Sequence, residues 1–168
     1  MSVLANSAIP STTPSNDTNS VTGISVIARV DYNLRFTKQA VLVVGDDASE
    51  YSQLASQYLV SLSNASSNSK ANAQHYNVAF VAASSKINDI QMRCRLVEQL
   101  FANTLFDPEQ SLAVSVINFA KQQSEAISIV VDHAHALSLQ VKYELCQLVS
   151  LAKKHKLTIN VVLFGSAF

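Results

Sequence analysis

Gly45-Asp46-Asp47-Ala48-Ser49-Glu50-Tyr51-Ser52 follows the apolar run 40–44 (AVLVV) and leads into an amphipathic stretch. Strand, then loop, then helix is the setting of the pattern G-x-x-x-x-G-K-[ST]. There, backbone amides and a lysine hold the phosphates of a nucleotide and the hydroxyl reaches Mg²⁺. Gly45 takes the first glycine and Ser52 the last hydroxyl, but Glu50 stands on the second glycine and Tyr51 on the lysine. Asp132 closes another apolar run, 127–131 (ISIVV), and an aspartate so placed can help to hold Mg²⁺. His133 and His135 follow it with H-x-H spacing. On an extended segment both rings would point to one side, which suits zinc, but a structural zinc site wants four ligands and only two are visible.

The loop has the wrong charge for a polyphosphate. Asp46, Asp47 and Glu50 surround the place where the anion would sit. Each like-charge pair 4 Å apart costs about 1 kcal/mol in water and about 4 kcal/mol at an effective dielectric of 20. No lysine in the motif offsets this. Carboxylates at a helix N-terminus satisfy its free amides, each contact contributing about 0.5–2 kcal/mol. The expectation is a vestigial site of Gly45, Ser52 and Asp132, filled by the protein's own acid. The residues Asp46, Asp47, Glu50, Tyr51 and His133 mark the departures from the motif.

These residues sit at the ends of strands and helices that the hydrophobic pattern marks out. Besides 40–44 and 127–131, the runs 78–82 (VAFVA) and 159–164 (INVVLF) are continuous and apolar, as in strands buried on both faces of a parallel sheet. Helical periodicity separates them. It runs through Tyr51, Leu54, Ala55, Tyr58, Leu59 and Leu62; through 85–105; from an Asp107-Pro108 start through Leu112, Val116 and Ala120; and over 137–156. Tyr51 and Tyr58, seven apart, read as helix packing. Strands alternating with helices predict an α/β three-layer sandwich with a mainly parallel sheet.

The chain has 168 residues, with 12 basic and 12 acidic side chains, so 12 − 12 = 0 formal charge. Apolar residues make up 48% and charged residues 14%, which suits one folded domain with a core. Zero net charge argues against a nucleic-acid binder. No apolar run is long enough to span a bilayer, and 1–20 lacks the pattern of a secretory signal. Three glycines leave little for a glycine-rich phosphate cradle. Cys94 and Cys146 read as reduced, buried thiols. Residues 1–22 read as a flexible polar tail, 23–168 as the domain, and 61–77 (SLSNASSNSKANAQHYN) as a polar surface loop. There is no G-x-S-x-G elbow and no C-x-x-C pair.

The stretches 25–45 (SVIARVDYNLRFTKQAVLVVG), 93–112 (RCRLVEQLFANTLFDPEQSL), 128–152 (SIVVDHAHALSLQVKYELCQLVSLA) and 159–165 (INVVLFG) together resemble the AAA-type P-loop ATPase domain of the ExeA/MshM/DamX group of bacterial envelope proteins. The resemblance covers roughly residues 24–165. It implies a P-loop NTPase-like fold, a helix over 24–36 despite its β-branched residues, and a cytoplasmic module of a protein tied to division, secretion or pilus assembly. It implies a catalytic glutamate where this chain has His133, and a polar sensor near Gly165. It also implies a fifth strand and a helical lid beyond Phe168, so the chain reads as lacking the C-terminal lid.

The expected function is therefore a non-hydrolysing domain of this type, a pseudo-ATPase. It would use protein partners, with oligomerisation possible and no cofactor. The rival is a working ATPase that binds Mg-ATP through Ser52 and Asp132, with Lys38 or Lys70 in place of the motif lysine. A third reading is a folded domain with no ligand.

Overall fold

In the computed structural model, which describes residues 2–5, 16–67 and 74–167, the apolar runs form one parallel sheet. The strands are β1 (Ser2–Ala5), β2 (Val41–Val44), β3 (Tyr76–Ala82), β4 (Ala126–Asp132) and β5 (Ile159–Gly165). Their order across the sheet is β1-β2-β5-β4-β3, with every pair parallel. The four strands from β2 to β5 are the runs read from the sequence. All seven residues of β4 are buried, as a central strand requires.

Helices cover both faces. They are α1 (Asn16–Thr37), α2 (Ala48–Ser67), α3 (Asp89–Leu100), α4 (Leu112–Ala120) and α5 (Leu139–Lys154). Val41, Val43, Val130, Val162 and Phe164 pack against α1 and α2, meeting Val30, Leu34, Leu54 and Tyr58. The intervening residues Leu42, Ile129, Val131, Val161 and Leu163 face the other way, against Leu96 of α3, Val116 of α4 and Leu145 of α5. This period of two sorts each strand between two cores. The result is the three-layer α/β sandwich.

Several boundaries differ from expectation. Within the expected tail 1–22, Ser2–Ala5 is an edge strand paired to β2, from Ser2↔Val41 to Ala5↔Val44, and α1 already begins at Asn16. Pairing an open sheet edge satisfies backbone groups whatever the side-chain polarity, so composition gave no sign of it. The helix expected over 24–36 is present inside α1. The polar tract 61–77 is a loop only in part: α2 continues to Ser67 and β3 begins at Tyr76. Its residues 68–73, with Lys70, lie outside the described residues.

Asp107-Pro108 does not open α4. Asp107 closes a separate turn, accepting from the Glu109 and Gln110 amides, and α4 starts after Ser111. The reason is a buried ion pair. The Arg93 guanidinium donates to both carboxylate oxygens of Glu144, Nε at 3.1 Å and an Nη at 2.6 Å, and also to the Pro108 carbonyl. Glu144 further accepts from Gln140 and from the Leu112 amide at 2.8 Å. A carboxylate from α5 thus caps α4, and the Ser111 hydroxyl is left buried and without a partner. Elsewhere capping is local: Asn88 and Gln91 form a capping box at α3, and Ser138 caps α5.

Candidate functional site

The chain leaves β2 through α2 to the far strand β3 and returns through β4 to β5, so β5 lies between β2 and β4. From β2, α2 turns to one face of the sheet; from β4, α5 turns to the other. Such a divergence marks the carboxyl ends of β2, β5 and β4 as the usual ligand position in open α/β sheets. The sequence-predicted site residues are gathered around it.

Gly45 follows β2 directly and its amide donates to the carbonyl of Gly165, the last residue of β5, at 3.0 Å. Asp47 caps α2: its carbonyl accepts from the Glu50 and Tyr51 amides, and its carboxylate accepts from the Ser49 amide at 3.0 Å. The carboxylate thus takes one of the amides a phosphate would use. Glu50 turns back toward the loop, its Oε2 3.6 Å from where a Cβ on Gly45 would stand. Partial burial, then the nearby Asp46 and Asp47, raise its pKa.

Tyr51 fills the position of the motif lysine in the opposite sense. It is buried, and its hydroxyl makes a 3.1 Å hydrogen bond with Nδ1 of His133, the residue just after β4. The two rings meet edge to face, with centroids 5.3 Å apart, and His135 approaches the same phenol ring at 5.9 Å. Tyr58 is buried one further stretch along α2, packed on Phe164, and burial raises its pKa. Both tyrosines are core residues, in line with their spacing.

Asp132 ends β4, buried, and one of its oxygens accepts from the His133 amide at 2.8 Å. His133 Nε2 lies 3.8 Å from the other oxygen. The segment after Asp132 is not extended. His133 is left-handed, with φ at 51°, and Ala134–Ala136 is a turn of 3₁₀ helix. The two imidazoles still converge, but through that turn: their centroids are 6.0 Å apart. Among the described residues no group of three or more His, Cys, Asp or Glu is placed to hold a metal. His135 reaches over β5, where its Nδ1 accepts from the Ser166 amide at 3.2 Å.

Ser52 is half-buried on α2, and no hydrogen bond joins it to Asp132 among the described residues. Lys38 precedes β2 and lies at the opposite end of the sheet. Cys94 and Cys146 are free and half-buried rather than buried. The sequence reading missed two features. One is the role of His135, which H-x-H spacing beside a strand end could have suggested. The other is the Arg93–Glu144 pair, which has no local signal across 51 residues.

No family model, curated protein or solved structure matches this chain. No helix among the described residues is long and apolar enough to cross a membrane.

Proposed function

We propose that this chain is a non-hydrolysing domain of the AAA/P-loop type that works by binding protein partners. Its setting would be the cytoplasmic side of an envelope-linked bacterial system. The observation that carries the reading is the Tyr51–His133 hydrogen bond. It bridges α2 and the turn after β4 at the carboxyl ends of the strands and puts a phenol where the motif has its lysine. The Asp47 carboxylate on the Ser49 amide and the Glu50 carboxylate beside Gly45 add negative charge where triphosphate would need positive. A scaffold retained without its chemistry is left with binding. Exposed apolar pairs on two helices suit that use: Tyr32 and Phe36 on α1, with ring centroids 4.5 Å apart, and Leu139 and Tyr143 on α5.

Titration calorimetry with Mg-ATP tests it. The expected result is no saturable binding in the micromolar range and no phosphate release. Micromolar binding, with turnover lost in Asp132→Ala, would establish the ATPase reading instead.

A further inference from the structure

A cleft of about 370 Å³ opens at the amino ends of the strands, at the opposite end of the sheet from Gly45 and Asp132. The ends of α1 and α5 frame it, and it is lined by Arg35, Lys38, Lys153 and Lys156 with one acid, Asp31. Arg35 is spoken for, since its guanidinium pairs with Asp31 at 3.1 Å. Lys38, Lys153 and Lys156 have no ion pair among the described residues.

Two helix C-termini attract cations, and that accounts for some of this charge. Each end carries about half a negative charge. Two ends therefore offset about one of the three unpaired lysines and leave about two positive charges among the residues that line one cavity. Lys38 and Lys156 also stand just past their helices in the left-handed region, with φ at 50° and 56°. Glycine is the favoured residue there. Among the described residues no glycine has positive φ, and these positions carry lysine instead. The rest of the lining supplies an apolar floor, Leu34, Val149 and Leu157, and a polar pair, Tyr76 and Asn160, joined by a 3.3 Å hydrogen bond. Several cationic residues around a partly apolar floor, at this volume, have the make-up of a small-molecule site.

We propose that this cleft binds a small phosphomonoester, its phosphate held by Lys38, Lys153 and Lys156 and its organic body lying on Leu34, Val149 and Tyr76. The site does not depend on the state of the loop 45–52 at the other end of the sheet, so its test is separate from that of the proposed function.

Phenyl phosphate is the probe, added to the whole chain and followed through backbone amide shifts by NMR. The expected result is saturable binding with the largest shifts over 35–38 and 153–160. Lys38→Gln with Lys156→Gln should weaken it at least about tenfold. Lys121→Gln with Lys142→Gln, outside the cleft lining, should leave it unchanged. Inorganic phosphate should bind more weakly, because it lacks the body. Shifts spread over all lysines alike, no saturation, or undiminished binding in the first pair would overturn the proposal. The shift map of the unaltered protein decides the matter even if that pair fails to fold.

Discussion

The phenol oxygen of Tyr51 and the Nδ1 of His133, 82 residues apart in the chain, lie 3.1 Å apart across the carboxyl end of β5. This contact ties α2 to the turn after β4. Tyr51→Phe keeps the ring contacts and removes the hydrogen bond, at an expected cost of about 0.5–1.5 kcal/mol. Thermal melts of Tyr51→Phe, His133→Ala and the double variant form a cycle. The two losses should not add, with a coupling of about 0.5–1.5 kcal/mol. Strict additivity would mean the bond contributes nothing.

The Arg93–Glu144 pair should be the costliest polar contact to break. Removing one partner leaves the other charge buried, and such losses run to about 3–5 kcal/mol. Glu144→Ala also uncovers the Leu112 amide at the start of α4. Urea denaturation should show the midpoint falling sharply for Arg93→Ala and for Glu144→Ala, and the double variant should recover part of the loss.

The same pair sets an acid limit. Burial alone would raise the Glu144 pKa, but the Arg93 fork, Gln140 and the Leu112 amide outweigh it and hold the group below its ordinary value of 4.5. A carboxylate with a lowered folded pKa stabilises the fold fully above its unfolded pKa, and loses that contribution as pH falls through the folded one. Stability that drops below about pH 4.5 in the natural chain should be flatter there in Glu144→Gln. Equal slopes would remove Glu144 from the acid transition.

Glu50 has the opposite sign. Its raised pKa means the ionised form is disfavoured in the fold, so its contribution is best below pH 4.5 and is lost as pH rises through the folded value. Glu50→Gln should stabilise at pH 7, by a few tenths of a kcal/mol for a group this open to solvent. The gain should vanish near pH 4. A loss of stability at pH 7 would show that the ionised carboxylate is needed as part of the α2 cap.

The two glycines at the strand ends should respond differently. A Cβ on Gly165 would stand 3.0 Å from His135 Nδ1 and 3.2 Å from the amide nitrogens of Ala134 and His135. Backbone atoms cannot swing away, so Gly165→Ala should cost about 1–3 kcal/mol. On Gly45 the nearest atom is Tyr51 Cβ at 3.4 Å, an ordinary contact. Gly45→Ala should leave the melting temperature within a degree or two of the natural chain, about 0.5 kcal/mol or less. Equal effects at both sites would mean that the approach of the His135 turn to β5 is not tight.

The parallel sheet was legible from residue order, because four continuous apolar runs can be satisfied only where both faces are covered. So was the absence of a cationic phosphate loop, because residue types at 46, 47, 50 and 51 need no coordinates to be counted. Periodicity located α2 to α5, whereas α1 was expected, over 24–36, from the family resemblance. The helix ends depended on partners far along the chain. Thus α4 starts where Glu144 reaches the Leu112 amide rather than at Asp107-Pro108. The place of β5 between β2 and β4, which brings Tyr51 to His133 and His135 to Gly165, emerges from the assembled fold. That fold alone set Lys38 and Lys156 around one cleft, from helix ends 118 positions apart (156 − 38). Local pattern records which face of an element is apolar. Which elements become neighbours follows from the packing of the whole chain, and the site is made of those neighbours.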